Sequence, residues 1–291
     1  MVPFEHNAAN SICGAVFNAS SNLRSILTEV LALLQERDQN LDFLLLPDSG
    51  YVDQTVVQAL QPDFRISHSP PGPDGWVCAI IYKSNLAVRH GHLKDAAGRA
   101  VGIDLALPGP ARGKPRYHRV ITFYQPPNLD RAPEDVIDHG QPDGISLTGR
   151  TGSDLQLARR QEAERVRRLV LTWATAPSVV SCTAAGDCNE TFCGIADRLH
   201  GGKSRPGSWR FGTIHRMVCD DGWNDMYRDL HPAIDDDSAR DSWSPGHTFF
   251  YPGGGSSRID YVLTRGVDYD SATASCRVDN TGILGSDMGH R

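Results

Sequence analysis

The sequence predicts an α/β protein in which strands and helices alternate along the chain. Short apolar segments with the pattern of buried strands recur throughout the 291 residues. Segments with apolar residues at helical spacing stand between some of them, and this alternation favours a layered arrangement of sheets and helices. In two places an acidic residue stands where a short apolar strand meets a polar loop, which is how an active site is built on a rigid sheet.

The first clear element is an amphipathic helix over Leu23 to Leu34, where apolar residues repeat at helical spacing before a charged turn. A loop rich in Pro, Gly and Ser is expected over residues 66 to 75. The apolar pattern predicts strands at Leu41 to Leu46, Trp76 to Tyr82 and His118 to Tyr124.

A long polar surface loop is predicted over Asn128 to Gly152, which contains several Pro and Gly and no apolar core of its own. The next helix is predicted over Asp154 to Trp173, with Ser153 as its N-cap. Its arginines are expected on the solvated face: Arg159, Arg160, Arg165, Arg167 and Arg168.

Composition is ordinary for a globular protein, with 40% hydrophobic and 22% charged residues. No uninterrupted apolar run approaches the roughly 18 to 20 residues that a membrane helix needs, and the N-terminus lacks the pattern of a secretory signal. We therefore expect an intracellular protein, nuclear or cytoplasmic and not secreted, without a membrane span. Its length suits a single domain over residues 1–291.

Seven cysteines are scattered without C-x-x-C pairs, which argues against a disulfide framework or a structural zinc site. The formal net charge of −6 does not fit a protein that holds nucleic acid over its whole surface. Any polyanion would have to be held locally.

The first acidic motif is Ala185-Gly-Asp-Cys-Asn189. Val179 to Cys182 has the pattern of a buried strand. We expect Gly186 to let the backbone turn, so that Asp187 and Asn189 emerge at the strand end.

The second acidic motif lies in Gly253-Gly-Gly-Ser-Ser-Arg-Ile-Asp-Tyr-Val-Leu263, where Asp260 has apolar neighbours on both sides. An unpaired buried carboxylate is costly, so Asp260 must be paired or bound to a ligand. Arg258 is expected to be structural, and Tyr261 and Trp223 are expected to be core aromatics.

Together the two motifs resemble the G-D-x-N and S-R-I-D-Y signatures of the endonuclease/exonuclease/phosphatase family, which has the deoxyribonuclease-I-like fold. The resemblance covers nearly the whole chain. It implies a four-layer α/β sandwich, two packed mixed β-sheets flanked by helices. Because the chain ends soon after the terminal motif, we also expect the C-terminal strand to be missing and the sequence to be a fragment of a longer chain.

The resemblance implies a site for Mg²⁺, with Mn²⁺ as a possible substitute. Asn18, at the end of Ile12-Cys-Gly-Ala-Val-Phe-Asn18, matches the first motif of the family. Asp48 stands where the family has a glutamate, one methylene longer. With Asp287 these residues would form the metal site, since Mg²⁺ prefers carboxylate and carbonyl oxygens.

The resemblance also implies the catalytic residues. Tyr124 and Asn189 would contact the scissile phosphate, and Asp187 would orient or deprotonate the attacking water. His290 would contact the phosphate, and Asp260 would orient that histidine. The terminal motif departs from the family pattern, because two residues separate Asp287 from His290.

Between Arg198 and Arg216 the chain has no Asp or Glu, and its basic residues are interleaved with Trp209, Phe211 and two histidines. This stretch could follow a nucleic-acid backbone and stack a base, with Arg205, Arg210 and Trp209 as the candidate substrate-binding residues. The alternative is a solvated surface loop.

The resulting hypothesis is a Mg²⁺-dependent phosphodiester hydrolase that nicks DNA, similar to the endonuclease domains of non-LTR retrotransposons. A downstream reverse transcriptase domain would then follow in the longer chain. One alternative is a phosphoester phosphatase or 3′ exonuclease of the same fold, because fold does not determine substrate. Another is an inactive relic or a binding-only module.

Overall fold

The computed structural model describes residues 2–6, 12–35, 40–107, 115–126, 144–190, 198–199, 212–231, 248–250, 256–266 and 275–276. The predicted loop before the long central helix lies largely outside them.

The strands of the described residues are β1 Val2–His6, β2 Ile12–Val16, β3 Phe43–Leu46, β4 Phe64–His68, β5 Ala79–Lys83, β6 Val88–Lys94, β7 Ala100–Ala106, β8 Tyr117–Tyr124, β9 Val179–Asp187, β10 Arg198–Leu199, β11 Asn224–Asp225, β12 Phe249–Phe250, β13 Ser256–Ser257, β14 Asp260–Arg265 and β15 Ser275–Cys276. The helices are α1 Leu27–Gln35, α2 Gln54–Leu60, α3 Gly152–Ala174, α4 Thr213–Cys219 and α5 Met226–Leu230.

Two six-stranded mixed sheets organise the chain. The first sheet has the order β15-β1-β2-β3-β5-β4, and the second has the order β11-β14-β9-β8-β7-β6. One parallel pair stands near the centre of each sheet, β2 with β3 in the first and β8 with β9 in the second. A short three-stranded sheet, β10-β13-β12, completes the pairing.

Apolar side chains form three layers of core. The middle layer lies between the two sheets and joins residues such as Val16 and Leu45 of the first to Val120 and Val262 of the second. A second layer packs the first sheet against α1 and α2, and a third packs the second sheet against α3 and α4. The predicted four-layer α/β sandwich is therefore confirmed. In the described part of the chain, no helix is long and apolar enough to cross a membrane.

The predicted boundaries differ from the observed ones where loop contacts replace regular pairing. The first helix begins at Leu27, because Leu23 donates its N–H to the backbone oxygen of Ser49 and residues 23–26 form turns. Strand β5 begins at Ala79 rather than at Trp76. Four elements are not predicted from the sequence pattern: α2, β4, the largely exposed β6 and the buried β7.

Helix α3 corrects two expectations. Its N-cap is Thr151, not Ser153. Arg165 and Arg167 are not on a solvated face, because each forms ion pairs with buried carboxylates and keeps only 11% and 12% of its side chain exposed. The pattern missed this because Glu162 and Glu164 are themselves buried on the same helix.

The core aromatics are where they were predicted, with Trp223 and Tyr261 at 1% and 0% exposure. Arg258 is also buried, and its guanidinium donates two hydrogen bonds to Asp225, at 2.9 and 2.6 Å. Asp225 in turn caps α5 by accepting from the N–H of Arg228. Arg258 therefore joins the start of β14 to α5.

Candidate active site

Polar residues from both sheets meet where the central strands end. Asp187 is the last residue of β9, and Tyr124, the last residue of β8, stands opposite it in the parallel register. Asp260, the first residue of β14, pairs with Asp187 from the other side. From the first sheet, Asn18 follows β2 and Asp48 follows β3. Five of the eight predicted catalytic and metal-binding residues thus lie at strand ends.

Asp187 is 1% exposed, and both of its carboxylate oxygens accept hydrogen bonds. Asn18 Nδ2 donates to Oδ2 at 2.8 Å, and the backbone N–H of Asn189 donates to Oδ1, also at 2.8 Å. Asn18 Oδ1 accepts from the N–H of Ser20, which holds the amide in the orientation that makes its NH₂ group the donor. The orientation of the Asp187 carboxylate is therefore fixed from two sides.

Two backbone features make this geometry possible. Asn189 has φ of 49°, a left-handed conformation that asparagine tolerates better than most residues, and its N–H points back at Asp187. Gly186 corrects our expectation of a turn, because it lies within β9. A Cβ at Gly186 would come within 1.9 Å of the carbonyl oxygen of Phe123, so the glycine is required by the close approach of β8.

Asp48 is 5% exposed, and its Oδ1 accepts a hydrogen bond of 2.6 Å from the hydroxyl of Ser21. The N–H of Ser21 donates to the backbone oxygen of Asp48 at 3.1 Å, so the loop after β2 is bonded twice to the end of β3. Ser20 and Ser21 both have positive φ, 48° and 59°. Such strain is tolerated where the surrounding contacts enforce it, often at functional sites.

The donor set at this end of the first sheet fits a hard divalent cation. Asp48 offers a carboxylate and Asn18 a second lone pair on Oδ1, and oxygen ligands suit Mg²⁺ or Mn²⁺ rather than zinc. Within the ranges that the structure describes, no three or more His, Cys, Asp or Glu side chains are grouped to hold a metal. Asp287, the third predicted ligand, lies outside those ranges.

Tyr124 is 6% exposed and carries its ring against Trp76, with centroids 4.7 Å apart. Burial raises the pKa of its phenol, and the charges of Asp187 and Asp48 raise it further. Arg99 and a hydrogen bond from the side chain of Asn189 act in the opposite direction on this pKa. The phenol is therefore neutral at ordinary pH and can donate a hydrogen bond to an anion.

Asn189 also donates from Nδ2 to the backbone oxygen of Gln125 at 2.9 Å. The N–H of Gln125 donates to the backbone oxygen of Asp187 at 2.9 Å, so β8 and β9 stay joined beyond their last paired residues. Asp260 is 6% exposed, and its N–H lies 3.2 Å from the hydroxyl of Thr248. These contacts fix the backbone at the rim of the site.

The remaining predicted site residues, His290, Asp287, Arg205, Trp209 and Arg210, lie outside the described residues. Their roles stay predictions.

Three further residues lie near the site without being predicted from the sequence: Ser21, Trp76 and Arg99. The apolar pattern predicts Trp76 in a strand, and its position at the end of a Pro/Gly-rich loop is the one sequence signal for a role at the site. Arg99 ends the turn Asp95-Ala-Ala-Gly-Arg99, which has the composition of a solvated surface turn, yet it is only 1% exposed. Nothing in the local pattern distinguishes this turn from an ordinary one.

Comparison with known proteins agrees with this geometry. No protein-family profile and no curated protein sequence matches the chain. Among solved structures, a 3′-5′ exonuclease, NExo, from Neisseria meningitidis matches with a TM-score of 0.54 and 18% identity, covering 86% of this chain and 85% of that one. An AP endonuclease from Archaeoglobus fulgidus matches with a TM-score of 0.51 and 16% identity, covering 86% and 84%.

The endonuclease domain of TRAS1, a telomere-specific non-LTR retrotransposon, is also similar, with a TM-score of 0.47 and 13% identity over 85% of this chain and 82% of that one. That likeness is too distant to support an argument about subgroup. The matches above 0.5 show that this chain has the deoxyribonuclease-I-like fold of the endonuclease/exonuclease/phosphatase proteins.

Proposed function

We propose that the protein is a divalent-cation-dependent phosphodiesterase that acts on DNA. The observation that carries the proposal is the fixed Asp187 carboxylate, held by Asn18 from the first sheet and by Asn189 from its own loop. A carboxylate in one enforced orientation, next to a neutral phenol and a second buried carboxylate, suits general-base attack on an anionic ester.

In the proposed reaction, Asp187 accepts a proton from the attacking water as the water oxygen bonds to phosphorus. The bond from phosphorus to the leaving oxygen breaks, and that oxygen takes up a proton from solvent. Tyr124 and Asn189 donate hydrogen bonds to the phosphoryl oxygens, where negative charge develops. Because both side chains lie beside Asp187, one bound phosphate could contact all three.

Asp48 and Asn18, with Asp287, would hold Mg²⁺ or Mn²⁺. A bound cation would neutralise charge on the phosphoryl oxygens and polarise the ester. His290, oriented by Asp260, would contact the same phosphate. His290 lies outside the described residues.

The choice of DNA rests on the basic, aromatic stretch that contains Arg205, Trp209 and Arg210. In a chain with a net charge of −6, a local basic stretch is the expected way to hold a polyanion. The narrower proposal, a DNA-nicking endonuclease of retrotransposon type with a reverse transcriptase domain downstream, rests on the motif resemblance alone.

A second candidate function is removal of a 3′ phosphate or terminal nucleotide. It is supported by the likeness to NExo, one of whose structures is described as a 3′ phosphatase bound to a product DNA hairpin, with 20% identity and a TM-score of 0.53 over 86% of this chain and 84% of that one. The same site chemistry would serve both reactions, and only the part of the substrate that enters the site would differ.

The deciding experiment is the nicking of supercoiled plasmid with Mg²⁺, with EDTA as a control. The parent protein is compared with Asp187→Asn, which keeps the shape of the side chain but removes the base. Asp63→Asn is the matched control, because it makes the same change at an exposed carboxylate away from the site.

We expect Mg²⁺-dependent nicking by the parent and by Asp63→Asn, and its loss in Asp187→Asn. In parallel, a duplex with a 3′-phosphorylated end tests the second candidate. Release of phosphate without nicking would favour the phosphatase. If the folded parent protein acts on neither substrate, both candidates fail and the reading as an inactive relic or binding module remains.

A further inference from the structure

The ring of Tyr124 contacts a buried cation as well as Trp76. The guanidinium carbon of Arg99 lies 5.5 Å from the centroid of the Tyr124 ring and 5.3 Å from that of Trp76. In addition, the N–H of Tyr124 donates to the backbone oxygen of Arg99 at 2.8 Å. Arg99 thus contacts the candidate catalytic tyrosine through both its side chain and its backbone.

The guanidinium of Arg99 lies slightly beyond hydrogen-bonding distance of its two neighbouring carboxylates. Its Nη2 lies 3.6 Å from Asp74 Oδ2, and its Nε lies 3.6 Å from Glu162 Oε1. Within the described residues, Nη1 and Nη2 have no hydrogen-bond partner, although the residue is only 1% exposed. Burying a cation in this way is costly, and burial lowers the pKa of Arg99.

The two carboxylates beside Arg99 are anchored elsewhere. Asp74 accepts hydrogen bonds from the N–H groups of Leu147 and Thr148, and Glu162 accepts from the N–H of Ile145. The Asp74 bonds join the segment before α3 to the loop that carries Trp76, and the Glu162 bond joins that segment to α3. The carboxylates therefore have fixed positions, and their charges determine where the guanidinium lies.

The turn that carries Arg99 is anchored in the same way. Asp95 Oδ2 accepts from the N–H of Arg99 at 3.0 Å. Arg165, on α3, donates to both oxygens of Asp95 and to Glu162. Helix α3 thereby fixes both the backbone and the side chain of Arg99.

We propose that Arg99 is a positioning residue that holds the Tyr124 phenol in place to donate to the phosphate, an inference that rests on the proposed function. The planar guanidinium packs against the tyrosine and tryptophan rings, an arrangement that cation–π attraction favours. Its charge also opposes the effect of the Asp187 and Asp48 charges on the phenol.

The test is a double-mutant cycle in the full chain. Arg99→Met removes the charge and the planar group, and Tyr124→Phe removes the phenol oxygen. We expect Arg99→Met to lower kcat by about 10- to 100-fold, the range expected when a donor to a developing charge is misplaced. In the Tyr124→Phe background, the same change should lower kcat by less than about twofold, because its effect passes through the phenol.

Arg119→Met is the matched control. Arg119 is also buried on the second sheet, at 3% exposure, and it pairs with Asp104 through bonds of 2.6 and 2.9 Å away from the site. Its loss should lower thermal stability and leave kcat of the folded protein unchanged. An equal loss of kcat in Arg119→Met and Arg99→Met, or an equal effect of Arg99→Met with and without the phenol, overturns the proposal.

Arg99→Lys covers the case in which Arg99→Met does not fold, because lysine keeps the charge between Asp74 and Glu162.

NMR of the protein with ring-labelled tyrosine gives a second readout, with the Tyr124 signals assigned by their absence in Tyr124→Phe. Arg99→Lys should shift these signals and reduce kcat less than Arg99→Met does. Unchanged ring signals overturn the contact itself. If the parent protein hydrolyses no phosphoester, the proposed function has failed, and the ring signals still decide whether Arg99 positions the ring.

Discussion

Asn18 and Asp187 are 169 residues apart in the chain, yet Asn18 Nδ2 donates to Asp187 Oδ2 at 2.8 Å across the two sheets. Each residue follows or ends a central strand of its own sheet, so the bond connects the two layers directly at the candidate site. Together with the N–H of Asn189, it fixes the orientation of the Asp187 carboxylate.

Asn18→Ala removes this bond and frees the carboxylate to rotate. We expect kcat to fall by about 10- to 100-fold, because a misoriented base loses the near-attack geometry. KM should change by no more than a few-fold, measured by steady-state cleavage of a labelled duplex. Asn85→Ala, at an exposed asparagine, is the control. A rise in KM with unchanged kcat would contradict the orienting role, and a large rise in the Mg²⁺ requirement would favour a metal-ligand role instead.

Asp48→Asn tests the proposed metal site. A cation that binds only the native state stabilises it by RT ln(1 + [L]/Kd), about 2.7 kcal/mol when the free cation is at 100 times Kd. The parent protein should therefore melt at a higher temperature in millimolar Mg²⁺ than in EDTA, and Asp48→Asn should lose most of that difference. Asp63→Asn should keep it. If Asp48→Asn responds to Mg²⁺ as strongly as the parent does, Asp48 is not a ligand.

The variant Arg258→Met tests whether the arginine of the S-R-I-D-Y motif stabilises the fold through its ion pair with Asp225. Their side chains are only 1% and 4% exposed, so Arg258→Met leaves a buried carboxylate without its cation. We expect a loss of about 3 to 5 kcal/mol in the free energy of unfolding, measured with denaturant. Arg150→Met breaks an ion pair whose side chains are 39% and 63% exposed, and it should cost less than about 1 kcal/mol. If the free energy of unfolding falls by similar amounts in the two variants, burial does not make the Arg258–Asp225 ion pair more important for stability than the exposed pair.

The sequence predicted the parts of this site that depend on local pattern. Asp187 and Asp260 were both expected where an apolar strand meets a polar loop, and each lies at a strand end. The two residues also pair directly in the sheet. This pairing depends on the register between β9 and β14, which are far apart in the chain, and no local pattern contains that information. Arg99 was missed for the same reason, because its burial is produced by carboxylates from distant segments. Gly186 was identified as necessary, but for a turn rather than for the close approach of β8.

Glu190 predicts a pH dependence of stability. It follows Asn189 directly, is 7% exposed, and accepts a hydrogen bond from the N–H of Ile214 at the start of α4. Burial raises its pKa from 4.5 to about 7, although hydrogen bonds from the N–H groups of Ile214 and Thr213 act against that shift. The folded state therefore holds the proton more tightly than the unfolded state does.

The direction in which stability changes with pH follows from that difference in proton affinity. Below pH 4.5 the carboxyl is protonated in both states and its contribution to stability is fully present. Between pH 4.5 and about 7 the unfolded chain releases the proton first, so this contribution is lost as pH rises. Glu190→Gln mimics the protonated side chain and should remove the loss. Its melting temperature relative to the parent should therefore be higher at pH 8 than at pH 5, whereas Asp63→Asn, an exposed control, should show no such change. If the melting-temperature difference between Glu190→Gln and the parent is the same at both pH values, Glu190 is ionised in the folded protein throughout this range.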